Sequence, residues 1–284
     1  MTKAPRPDPA QARPSTVAEA LARAALALQA RRLDEAEGLA AGVLKANPAN
    51  APAAQLLGQA LLLQGRAADA VAPLRRAARR GQDPVLETLL ARALAESGRT
   101  DEALDQLSQA AARRPTYPLA FVELGDLLRK LGRFDEARAR LDEGLAVAPD
   151  AAALRLALGY LHLARHDRPR ARALFQAVRA AAPERYDARL ALAQVLALDG
   201  DPAAAAELYR GALALRPEDA ATRLALGACL LELGDRDAGE AALRAAARDA
   251  GATGPAVAAL TAAPHGRAFL RPSQAARFLA APAT

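Results

Sequence analysis

The side chains able to do chemistry in this 284-residue chain are few and scattered. Histidine occurs at His162, His166 and His265, and cysteine only at Cys229. His162 and His166 stand four apart, so on a helix they would share one face, the minimum for gripping a metal ion. A structural metal site wants four ligands, and the only further donor close in sequence is Asp167. The histidine pair therefore reads as incidental, and no metal site is assigned. Cys229 lies in the apolar phrase LGACLLEL and reads as a small buried hydrophobe. A single cysteine cannot form an intrachain disulfide, which fits a reducing compartment. The sequence carries no phosphate loop, dinucleotide glycine motif, HExxH or cysteine pair. No catalytic residue and no cofactor is expected, and the reading is non-enzymatic.

Arginine supplies the remaining chemistry. The formal charge is +6, and the basic residues are almost all Arg. APLRRAARRG puts Arg75, Arg76, Arg79 and Arg80 on one broad helix face, and ARHDRPRARALF adds Arg165, Arg168, Arg170 and Arg172. Such groups can grip phosphate or an acidic partner. They also serve as the solvated face of an Ala/Leu-rich protein, their stems covering apolar surface. The second reading is preferred because aromatics make up 3% of the chain and no stacking platform accompanies the arginines.

Alanine, leucine and arginine dominate the composition, all strong helix formers, and β-branched runs are missing. The expected class is all-α. Seven units start at Val17, Ala51, Pro84, Pro118, Ala152, Tyr186 and Ala220, at intervals of 33 or 34 residues. The eighth place of every unit is Ala or Gly, and so is the twentieth. Glycine holds the fifteenth place except at Arg31 and His166, and Pro48, Pro115, Pro149, Pro183 and Pro217 close five units. A first helix of about 13 residues, roughly 20 Å long, is predicted to stop at that glycine. A second helix starts near the DEA phrases (Asp34–Ala36, Asp101–Ala103, Asp135–Ala137), where carboxylates suit unpaired amides and the positive dipole end. Small residues at the eighth and twentieth places should let the two helices approach until their backbones nearly touch. Stacked neighbours would then bury a continuous core.

This pattern resembles the tetratricopeptide repeat family over residues 17–253. The resemblance implies a right-handed α–α superhelix of helical hairpins whose first helices line a concave, ligand-holding face. Two departures stand out. The tryptophan or other aromatic usual at the fourth place gives way to Ala20, Ala54, Glu87, Phe121, Arg155, Arg189 and Arg223, of which only Phe121 is aromatic. At the twenty-fourth place only Phe175 and Tyr209 are aromatic, which suggests leaner packing. Carried over by place, the implied groove comprises Gln55, Gln59, Thr88, Arg92, Glu96, Val122, Asp126, Arg129, Lys130, Leu156, Tyr160, Leu163, Leu190 and Gln194. It would be polar in its first half and more apolar from Leu156 onward. Tyr160 reads either as an anchor for a bound segment or as packing on the next hairpin. Family members that clamp a partner's C-terminal carboxylate use asparagines on successive first helices. Here only Asn47 and Asn50 occur, so that clamp is not expected, although Arg92 and Lys130 could still meet an acidic peptide.

Residues 1–16 read as a disordered Pro-rich arm without the apolar core of a signal peptide. Residues 254–284 read as a capping helix and tail. In that tail Phe269, Leu270, Phe278 and Leu279 either staple it to the solenoid or form a docking peptide, and Ser273 is the candidate N-cap. No run is long and apolar enough for a transmembrane helix, and a cytoplasmic location is the default. The expected function is a protein-interaction scaffold or assembly adaptor holding an extended peptide or partner helix. Two other readings stay open: a substrate-presenting module for a separately encoded enzyme, and nucleic-acid or polyanion binding. Self-association through end units also stays open; membrane insertion is not expected.

Overall fold

The computed structural model describes residues 16–80, 83–113, 116–249, 251–267 and 271–281. Pro115, Phe269, Leu270 and residues 1–15 of the expected arm lie outside the described residues. All described regular structure is helical, and the fold class is the α–α superhelical solenoid. Two compact units divide the chain, at Ala148 and Pro149. The first holds α1 (Val17–Gln29), α2 (Leu33–Ala46), α3 (Ala51–Leu63), α4 (Ala67–Ala78), α5 (Pro84–Glu96), α6 (Thr100–Ala112), α7 (Pro118–Lys130) and α8 (Phe134–Val147). The second holds α9 (Ala152–Ala164), α10 (Arg168–Ala181), α11 (Tyr186–Leu198), α12 (Pro202–Leu215), α13 (Ala220–Glu232), α14 (Arg236–Ala246), α15 (Thr253–Ala262) and α16 (Pro272–Ala280). Each odd-numbered helix through α13 has 13 residues and opens on the first residue of its repeat. It packs on the even-numbered helix that follows, and α1, α3, α5 and α7 touch in succession, as do α9 and α11.

Every hairpin turns by the same device. The residue after the helix cap takes a left-handed conformation, and the next amide reaches back to a carbonyl in the helix's last turn, as Arg66 N does to Leu61 O at 2.8 Å. Glycine fills the left-handed place in five hairpins, with φ between +74° and +84°. Arg31 and His166 adopt it too, at φ 58° and 60°, and repeat the backbone bond, Arg32 N to Ala27 O and Asp167 N to His162 O. The register of the solenoid therefore overrides the steric penalty of a Cβ at those two turns. Arg31→Gly and His166→Gly are each expected to stabilise the protein by about 1 kcal/mol. A rise in denaturation midpoint for each single variant checks this; unchanged midpoints would mean the turns carry no strain.

Second helices start in two ways. Arginine stands at the N-cap of α2, α4, α6 and α8, and pairs with the acid three residues on, as Arg99 Nε does with Glu102 Oε1 at 2.7 Å. The acids of the DEA phrases thus answer a guanidinium as well as the helix dipole. In α10, α12 and α14 an aspartate caps directly, with Ala204 N donating to Asp201 Oδ1 at 3.0 Å.

The glycines at the small-residue places do two different things. Backbones come close in the last hairpin, where a Cβ on Gly227 would lie 3.1 Å from Gly239 O. Elsewhere the glycine at the eighth place makes room for the side chain at the twenty-fourth. A Cβ on Gly58 would meet Leu74 at 2.8 Å, and one on Gly125 would meet Leu141 at 2.7 Å.

The fourth place is likewise reassigned. Arg155 Nη2 donates to Pro149 O at 2.7 Å, Arg189 Nε to Pro183 O at 2.7 Å, and Arg223 to Pro217 O. Where the family usually has an aromatic, three units of the second half carry an arginine that ties down the proline closing the preceding unit. The packing is tethered there rather than merely leaner.

At the C-terminal end, α15 and α16 pack on the final hairpin. Leu260 and Leu279 join Leu231 and Leu243 in one buried cluster, with Phe278 packed against it. The N-cap of α16 is Arg271, not Ser273: the helix already begins at Pro272, and Arg271 N donates to Gln274 Oε1 at 3.2 Å.

Candidate functional site

In the first unit, α5, α6 and α7 enclose a cavity of about 250 Å³. Arg92, Ala95 and Glu96 line it from α5, Thr100 and Leu107 from α6, and Glu123, Asp126, Leu127 and Lys130 from α7. Four residues of the implied groove, Arg92, Glu96, Asp126 and Lys130, therefore meet in one place. The odd-numbered helices bring them together because positions four apart share a face and α5 lies beside α7. Three of the lining charges are spoken for: Arg92 Nε reaches Glu96 Oε1 at 2.8 Å, and Arg129 Nε reaches Asp126 Oδ1 at 3.2 Å. Both pairs are substantially exposed and so contribute little to stability. Their role is to shape the wall.

The other implied groove residues fall in different surroundings. Gln55, Gln59 and Val122 are half-buried. Thr88 is buried, and its hydroxyl donates to Pro84 O and Val85 O of its own helix, both at 3.0 Å. In the second unit Leu156 is buried in a cluster with Phe175 and Leu192, and Leu163 packs against that cluster. Tyr160 sits on Phe175 with ring centroids 5.1 Å apart and planes tilted by 56°. Leu190 packs on the next cluster, and Gln194 is half-buried. The apolar half of the implied groove is thus largely spent on packing between hairpins.

Glu123 escaped the sequence reading, which took only the second, fifth, ninth, twelfth and thirteenth places. The sixth place held the signal: it is Ala or Leu in the other six units. Burial is the main influence raising the Glu123 pKa; Asp126 and Glu96 add to it, and Arg92 and Lys130 oppose it.

The two arginine faces differ. Arg170 pairs with Asp167 at 3.0 Å and Arg172 with Asp199 at 3.3 Å, while Arg168 donates to Leu198 O at 2.6 Å. Arg75 and Arg76 of α4, with Arg79 and Arg80 just past its end, join Arg99 around an open depression of about 510 Å³. Arg75 shares Glu102 with Arg99. The rest of the lining is Ala68, Val71 and Ala72, with no aromatic. His162 Nδ1 lies 3.4 Å from Asp167 Oδ2, and His166 is exposed at its turn. Cys229 is buried beside Tyr209, and burial pushes its thiol up to about 11, away from reactivity.

A family model described as Tetratricopeptide repeat matches residues 94–159 and 196–263, and a second of the same description matches 156–220. Together they take in more than half of the chain. Residues 29–110 match the model described as Anaphase-promoting complex, cyclosome, subunit 3. No curated protein sequence matches. Among solved structures, a tetratricopeptide repeat protein from Parabacteroides merdae ATCC 43184 aligns with a TM-score of 0.61 at 17% identity, covering 86% of this chain and 97% of that one. The human IFIT1 dimer with m7Gppp-AAAA aligns at 0.66 and 17% identity over 89% of this chain, which spans 64% of IFIT1's own. TTC0263, a thermophilic TPR protein from Thermus thermophilus, aligns at 0.56 and 26% identity over 63% of this chain and 97% of that one. The first two likenesses, below 25% identity, are likenesses of fold alone. Among the described residues, no helix is long and apolar enough to cross a membrane.

Proposed function

We propose that this chain, which belongs to the tetratricopeptide repeat family, is a protein-interaction scaffold that holds an extended segment of a partner across α5 and α7. The carrying observation is the α5–α6–α7 cavity, where charged groups from two first helices converge on a hollow the size of one side chain. Convergent polar groups around a preformed concavity are what a recognition site needs. Nothing in the lining offers a nucleophile paired to a base, so binding rather than turnover is the supported activity. The α4 arginine face is read as solvated surface because it lacks a stacking platform.

Filling the hollow tests this. Peptides selected from a displayed random library against the intact chain should lose about tenfold or more in affinity when Ala95→Trp is introduced, a change of about 1.4 kcal/mol. Ala95 lines the cavity at the end of α5, next to the turn, so the fold should survive, as circular dichroism would verify. A library that yields no binder, or binders indifferent to Ala95→Trp, would sink the reading.

A further inference from the structure

Glu123 is the unexplained charge of the first unit. Glu123 lines the cavity, yet its carboxylate makes no hydrogen bond or ion pair with any described residue. The groups around it are otherwise engaged. On α5, Arg92 is held by Glu96 at 2.8 Å; on α7, Asp126 is held by Arg129 at 3.2 Å. The α6 wall contributes Thr100 and Leu107, neither of them charged. Lys130 is the remaining charge of the lining, and it is exposed.

The two unpaired charges are not equivalent. An exposed ammonium is satisfied by water and gains little from a partner. A half-buried carboxylate has given up part of its hydration and has received nothing fixed in return. The neighbouring acids Asp126 and Glu96 deepen that deficit, and Arg92 and Lys130 offset part of it through space without bonding the carboxylate. The sequence introduces this charge at a place that is apolar in all six other repeats. Packing of the solenoid therefore does not call for it.

We propose that the cavity receives a basic side chain, lysine or arginine, from the bound segment, and that its cation pairs with Glu123. The aliphatic stem would lie along Ala95 and Leu127, and the lysine or arginine head would meet the carboxylate at the α7 wall. The specificity is opposite in sign to a clamp for a partner's carboxylate. This rests on the scaffold reading for its physiological ligand, but the pocket's chemistry can be tested apart from it.

The probes are n-butylammonium and n-butylguanidinium, with n-butanol as the neutral control. Each is titrated into the intact chain at low salt while the backbone amide resonances of Ala95 and Leu127 are followed. Both cations should saturate these shifts at concentrations at least tenfold below n-butanol, and the tighter of the two identifies the preferred side chain. Glu123→Gln, which keeps the shape and removes the charge, should erase that tenfold preference. n-Butanol binding as well as the cations, or an unchanged preference in Glu123→Gln, would overturn the proposal. Failure of the scaffold reading looks different: the cation preference would stand while selected peptides ignored Ala95→Trp.

Discussion

Replacing Glu240 by glutamine is expected to cost about 3 kcal/mol and to loosen the C-terminal helices before the rest of the chain. Glu240 is only 4% exposed, yet it is gripped from three directions. Arg236 Nε approaches Oε1 at 3.0 Å, Arg244 Nη2 approaches Oε2 at 3.4 Å, and Arg267 donates to both oxygens. Arg267 comes from the segment between α15 and α16, so this one carboxylate ties the tail to α14. Two of the arginines also cover Phe278, with Arg244 and Arg267 carbons 4.2 and 4.6 Å from the ring centre. A neutral amide would leave the half-buried Arg244, whose Nε is buried and unpartnered, without a counter-charge. Amide hydrogen exchange in α15 and α16 should accelerate along with a lower denaturation midpoint. Arg236→Ala, which removes a half-exposed partner, should cost less than about 1 kcal/mol. Equal effects of the two substitutions would refute the view that the buried carboxylate is the hub.

The same site sets a pH dependence. Burial pushes the Glu240 pKa up, but hydrogen bonds from Arg267 and Arg236 and their charges outweigh burial and hold it below the ordinary carboxylate value. A depressed folded pKa means the contribution is present in full above the unfolded value, about 4.3, and disappears as pH falls through the folded one. Protection of the α16 amides, taken relative to their intrinsic exchange rate at each pH, should therefore fall in acid below about pH 4 in the wild type. Glu240→Gln should lack that component.

The repeat register was legible because every hairpin solves the same problem with the same residue types. A left-handed turn, a close helix contact and a proline stop recur at fixed places, and a period of 34 cannot hide. The two turns without glycine follow the register anyway, which shows that the stacking, more than any single residue, dictates the backbone there. What the register could not say is where a departure from it leads. Arg155, Arg189 and Arg223 look like lost aromatics in the sequence, and only three dimensions show each guanidinium bonded to the proline six residues earlier. The implied groove suffered for the same reason. Leu156 and Tyr160 occupy places that the family resemblance expects to face a ligand, and adjacent Phe175 packs against both. Glu123 was visible as an anomaly of type at its place. Its lack of a partner is a fact of three-dimensional neighbours, and no spacing rule reports it.

Gly159→Ala is expected to destabilise the protein by about 2 kcal/mol, against the ordinary gain of removing glycine from a helix. In an exposed helix that exchange contributes about 1 kcal/mol of stabilisation. Here the added methyl would fall on the ring of Phe175, which is fully buried and also carries Tyr160. The ring has nowhere to go, so overpacking should win. Gly38 and Gly42 on α2 provide the control: a Cβ at either would meet nothing within 4 Å, so alanine there should stabilise. Phe175→Leu should lower the penalty of Gly159→Ala, giving a coupling of about 1 kcal/mol in a double-mutant cycle. Ala193, in one buried cluster with Tyr209, shows that an aromatic can coexist with alanine when the helices are spaced for it. The glycine is therefore a spacing choice of that hairpin, and a stabilising Gly159→Ala, or strict additivity with Phe175→Leu, would show the choice to be incidental.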